Sequence, residues 1–139
     1  RLEPVIRENY ALNGLVPDLR MRAVTVDGTP ISFFRSDNIV SSSVFDRENQ
    51  GERITVASEA IDEVLRAIDP EVIVIDVEGA EIDLLARPDF GRVHTIVAEL
   101  HPHIVGAEAI TGLIATLATR GFTLAEERHG TALFERRPA

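Results

Sequence analysis

No cysteine occurs in this chain, so disulfides, thiolate metal sites and cysteine nucleophiles are excluded. That lack does not fix the compartment, and a reduced cytoplasm is the simplest home. Lysine is missing as well, and all 14 basic residues are arginine. Schiff-base chemistry and lysine general bases are therefore out of reach. No apolar run approaches the roughly 20 residues that a membrane-spanning helix needs. Positive charge is in deficit, with 14 basic residues against 23 acidic ones and a net charge of −9. Such a balance keeps a protein soluble and argues against a nucleic-acid backbone or an anionic membrane as its main partner.

What is present suits one domain, 1–139, with no internal repeat, low-complexity segment or linker. Hydrophobic residues make up 45% of the chain, enough for a real core. Residues 5–13, VIRENYALN, read as the end of a helix stopped by Gly14. Residues 19–26 alternate apolar and polar as a half-buried strand does; Asp27-Gly28 is a turn and 31–35, ISFFR, a second strand. Residues 36–51 form a long polar loop in which the Ser41–Ser43 run, with Ser42 at its centre, could contact a substrate. ERITVAS at 52–58 is another strand, and Ser58 is placed to cap the helix that follows. In that helix Ile61, Val64, Leu65 and Ile68 share one face.

EVIVIDV at 71–77 is nearly continuous in β-branched residues, as a strand covered on both faces would be. AEIDLLAR is a short helix stopped by Pro88, HTIVAEL at 94–100 a second buried strand, and His101-Pro102-His103 a loop. Residues 107–120 make a helix with Ile110, Leu113, Ile114 and Leu117 inward. FTLAEER and TALFERR close the chain as a hairpin around Gly130. The alternation of strands and helices is an α/β pattern with a mostly parallel sheet.

In such sheets ligands bind beyond the carboxyl ends of the strands, and two strand ends here carry polar clusters. One is Asp76-Val77-Glu78-Gly79-Ala80-Glu81, the other Glu99-Leu100-His101-Pro102-His103. Consecutive parallel strands set these ends side by side. Asp76 and Glu78 point to one side if the strand stays extended, where they can share a metal ion or hold one proton between them. Glu81 opens the next helix, where an acid complements the helix dipole, and Gly79 can supply a positive φ. Glu99 and His101 repeat the two-residue spacing, and His101 can act as a base or a metal ligand near neutral pH. An Asp-x-Glu strand also occurs in two-metal exonucleases, but these need a histidine shortly before an aspartate, and neither His101 nor His129 has one within five residues.

IDVEGAEIDLL resembles the signature of the FkbM family of S-adenosylmethionine-dependent methyltransferases. The likeness continues through IRENYALNGL at 6–15, MRAVTVDGTPISFF, ITVASEAIDEVL and VAELHP, and covers nearly all of residues 3–135. The resemblance implies a Rossmann-like class I methyltransferase sheet with an antiparallel C-terminal hairpin strand. It implies methyl transfer from S-adenosylmethionine, usually to a hydroxyl oxygen of an acceptor such as a small molecule or a sugar. Carried over, Glu3 would accept hydrogen bonds from the ribose hydroxyls, and Ala23 and Val24 would flank the adenine. Asp76, Glu78 and the neighbouring His101 would lie near the transferred methyl and the acceptor; Ser42, Glu81 and Glu99 are candidates for acceptor contact from their positions in the chain. A divalent metal at Asp76 and Glu78 could lower the acceptor's pKa in place of a base.

Relatives of this kind carry a glycine-rich strand–turn–helix ahead of the acid matched by Glu3. The chain starts at Arg1 without it, so the resemblance implies an N-terminally incomplete domain. The missing strand would leave the IVIDV strand with an open apolar edge, a route to a homodimer. The lack of the glycine turn also admits a non-catalytic reading, a degenerate methyltransferase scaffold that serves as a binding module.

Overall fold

The computed structural model describes residues 2–35, 52–86 and 89–137. Helix α1 (Glu3–Leu12) has Pro4 in its first turn, where a missing N–H costs nothing, and ends before Gly14 at φ +68. The helix reaches back to Glu3, so this carboxylate stands in a helical turn and not at the end of a strand. The alternating stretch yields only the short strand β1 (Ala23–Thr25). In the turn after it Asp27 Oδ1 accepts the Thr29 N–H at 2.9 Å, and Gly28 takes φ +78. Strand β2 (Ile31–Arg35) then pairs antiparallel with β3 (Glu52–Val56). The serine run with Ser42 lies outside the described residues.

Ser58 does not cap a helix. It belongs to β4 (Ser58–Ala60), which pairs in parallel with β1, Ala23 opposite Ser58. Helix α2 (Ile61–Ile68) therefore starts beyond Ala60 without a side-chain cap. Its expected face is partly realised: Ile61 and Leu65 are buried, and Ile68 at the C-terminal end is exposed.

The larger sheet takes β5 (Val72–Ile75), β6 (Thr95–Glu99), β7 (Thr123–Arg128) and β8 (Thr131–Glu135) in the order β5-β6-β8-β7. β5 and β6 run parallel, as expected. The β6-β8 and β7-β8 pairs are antiparallel. Among the described residues two of five strand pairings are parallel, so the sheets are small and mixed where a mostly parallel sheet was expected. The closing hairpin forms as its sequence predicts. His129 at φ +52 and Gly130 at φ +88 give the two positive φ values that a tight hairpin turn favours.

One face of this sheet carries the core. Ile96, Ala98, Ala132 and Phe134 pack with Leu84 and Leu85 of α3 (Glu81–Ala86) and Leu113 and Leu117 of α5 (Ala107–Thr119). Burying one such large side chain stabilises the fold by about 1.5–3 kcal/mol. β5 departs from expectation on its second face. Ile73 and Ile75 pack against the core, but Val72 and Val74 are 49% and 78% exposed. Among the described residues β5 pairs only with β6, so its other edge is open. Among these residues no helix is long and apolar enough to cross a membrane.

Candidate functional site

β5 stops at Ile75, and the chain turns at once. Val77 C=O accepts the Ala80 N–H at 3.2 Å, with Glu78 at φ +51 and Gly79 at φ +104 between them. Two successive positive φ values reverse the backbone sharply. Gly79 supplies one freely; Glu78 holds the other at a cost of about 1 kcal/mol. The extended spacing assumed for Asp76 and Glu78 does not exist, because strand geometry ends before them. The turn is what brings their carboxylates to one place.

The parallel neighbour supplies the third group. At the end of β6, Leu100 N–H donates to Gly130 C=O of the hairpin turn at 2.7 Å. Of the loop expected over 101–103, only His101 stays outside a helix. It precedes the short helix α4 (Pro102–Val105), and its carbonyl accepts the N–H groups of Ile104 and Val105 at 2.9 and 3.1 Å. Its side chain is 6% exposed, and the ring packs edge-on to His103, centroids 5.7 Å apart. His101 Nε2 points to the β5 side, 3.7 Å from Asp76 Oδ1 and 3.8 Å from Glu78 Oε2.

Glu81 holds this arrangement from behind. It is fully buried, yet its carboxylate is satisfied. Oε2 accepts the Gly79 N–H at 2.7 Å; Oε1 accepts the His101 backbone N–H at 3.0 Å and lies 3.2 Å from His101 Nδ1. A carboxylate only accepts hydrogen bonds, so in the neutral imidazole Nδ1 carries the hydrogen and Nε2 keeps its lone pair. Asp76 and Glu78 are 62% and 63% exposed and, among the described residues, meet no arginine. The site is thus the oriented imidazole of a largely buried histidine facing two open carboxylates, a set able to orient a hydroxyl, take a proton or hold a cation.

Of the residues singled out in the sequence, Asp76, Glu78, His101 and Glu81 come together. Glu81 lies beneath the cluster, away from any surface an acceptor could touch. Glu99 is the exposed last residue of β6. Glu3 is on α1, where Arg7 Nε and a terminal guanidinium nitrogen both contact its Oε1 at 2.9 Å. Ala23 and Val24 lie in β1, with Val24 exposed. What sequence reasoning missed is the bracing role of Glu81, although a signal was there: Glu81, Leu84 and Leu85 fall at i, i+3 and i+4, the buried stripe of α3.

The family model described as methyltransferase FkbM domain matches residues 5–124. No curated protein matches, and no solved structure does.

Proposed function

The chain belongs to the FkbM methyltransferase domain family, and from that premise we propose that it moves the methyl group of S-adenosylmethionine to a hydroxyl oxygen of a small molecule or sugar. The observation that carries this reading is the convergence of Asp76, Glu78 and His101 beyond the carboxyl ends of two adjacent parallel strands, where α/β sheets bind ligands.

The side chains present suit such a cofactor by their chemistry. Two exposed carboxylates that meet no arginine among the described residues favour a positively charged sulfonium. Glu3 keeps an exposed carboxylate of which Arg7 engages one oxygen, leaving the other to accept from a ribose diol. Ala23 and Val24 offer apolar surface for the adenine. When bound, S-adenosylmethionine supplies an electrophilic methyl whose bond to sulfur breaks as the bond to the acceptor oxygen forms. The protein's share is to hold the hydroxyl in line and ease the loss of its proton. Asp76, Glu78 and His101 Nε2 are placed for both tasks, and Glu99 borders the same strand end. Glu81 acts through His101 as a positioning residue. The open β5 edge belongs to the same reading as a surface for homodimer formation.

The test is calorimetric binding of S-adenosylhomocysteine to the full chain, followed by transfer of labelled methyl to a panel of hydroxylated acceptors. Binding in the wild type, with labelled product lost in Asp76→Asn, is the expected result. A chain that takes up neither S-adenosylhomocysteine nor label fits a non-catalytic scaffold instead.

A further inference from the structure

We infer that Asp76, Glu78 and His101 form a binding site for one first-row divalent cation, with Glu81 as the residue that aims the imidazole. The inference deepens the proposed methyl transfer and rests on it for its purpose, but not for its geometry.

Two carboxylates alone would not make a site, since exposed acids are common on a chain of charge −9. The independent observation is His101. Its side chain is more than nine-tenths buried, and among the described residues the oxygens set against Nε2, Asp76 Oδ1 at 3.7 Å and Glu78 Oε2 at 3.8 Å, face it from beyond hydrogen-bonding reach. Such spacings are what an ion between the groups requires. Ligand atoms about 2.0–2.2 Å from one ion lie roughly 2.9–4.3 Å from each other, depending on the angle between them. One ligand atom from each of Asp76, Glu78 and His101 lies within 4.8 Å of the others, so small side-chain movements close the site.

The second layer fits as well. A ligating histidine generally donates its other ring N–H to a carboxylate or carbonyl, which fixes the tautomer and raises the basicity of the ligating nitrogen. Glu81 Oε1 stands 3.2 Å from Nδ1. The same carboxylate pins Gly79 and the His101 backbone, so it fixes both halves of the site relative to each other. One imidazole with two carboxylates suits Mn2+ or Zn2+ better than Mg2+, which takes oxygen ligands. The exposed sides of Asp76 and Glu78 leave the outer coordination positions open. A cation held there would supply Lewis-acid chemistry, making a hydroxyl that reaches the open side more acidic, with its proton passing to solvent.

The test uses the full chain and the metal alone. Mn2+ is titrated with detection of the free ion by electron paramagnetic resonance, and Zn2+ is added in competition. One bound Mn2+ per chain is expected, weakened at least tenfold in Asp76→Asn and in Glu78→Gln, both exposed positions where folding is unaffected. Glu81→Gln should weaken binding by about 10- to 100-fold and shift the His101 ring toward a mixture of tautomers in its nitrogen spectrum, a change that a merely structural role does not produce. If Glu81→Gln does not fold, the two exposed variants decide. Absence of stoichiometric binding of either ion, or binding indifferent to Asp76→Asn and Glu78→Gln, overturns the inference. S-adenosylhomocysteine binding measured in chelator separates the two failures. Binding of it without any metal site leaves methyl transfer standing, and a metal site without it leaves only the cation.

Discussion

At the scale of single residues the candidate site divides into a side chain buried in the fold, Glu81, and side chains open to solvent, Asp76 and Glu78. Glu81 takes three donors inside the protein, and removing it strands the N–H groups of Gly79 and His101. Glu81→Ala should therefore cost about 3 kcal/mol in urea unfolding, since each orphaned buried donor costs about 1–3 kcal/mol. Asp76→Asn, at an open position, should stay within about 0.5 kcal/mol of the wild type. Glu78 makes the opposite case, because its φ of +51 is a conformation that glycine adopts freely and glutamate does not. Glu78→Gly should raise stability by about 1 kcal/mol in the same unfolding measurement. It should at the same time abolish labelled methyl transfer. That pair of outcomes would tie the strained angle of Glu78 to the proposed role of its open carboxylate.

At the scale of elements, the closing hairpin reaches into the site through the Leu100 N–H, which donates to Gly130 C=O one residue before His101. Gly130 sits at φ +88, and a Cβ there would stand 3.5 Å from Leu100 O. Gly130→Ala should lower stability by about 1–2 kcal/mol, read as a fall in melting temperature. In the main sheet, Leu117→Ala should cost about 2–5 kcal/mol. Val74→Thr on the exposed face of β5 should change stability by no more than about 0.5 kcal/mol. That contrast marks where the sequence could be read and where it could not. Helix α5 announced Leu113 and Leu117 by period alone, and the hairpin announced itself by Gly130 between two strand-like runs. The VIVI run of β5 could not show that one of its faces is open, because a β-branched run looks alike whether one or both faces are covered. Ser58 went to a strand because pairing with Ala23, distant in sequence, outweighed a local capping preference. His101-Pro102 concealed a helix start, although proline is at home in a first helical turn. In the candidate site, Asp76, Glu78 and His101 were legible as candidates from strand ends carrying acids and a histidine. The convergence itself was not, since it depends on the positive φ of Glu78 and on parallel pairing.

At the scale of the molecule, parallel β5 and β6 set two polar strand ends side by side, and the core beneath them holds their register. The chain's excess of acid, net −9, favours positively charged ligands at that end. The imidazole rings offer a direct view of it, because only four histidines are present. His101 stands in the cluster. His94 precedes the first residue of β6 at the opposite end, with Nδ1 2.9 Å from Thr95 Oγ1. The decisive measurement is the ring nitrogen–proton spectrum of the full chain, recorded with and without S-adenosylhomocysteine. The expected result is a shift of the His101 ring signals on saturation while those of His94 stay in place. A His101 ring that does not move, whether the chain takes up the ligand or not, contradicts the assignment of Asp76, Glu78 and His101 to the reacting end of this methyltransferase.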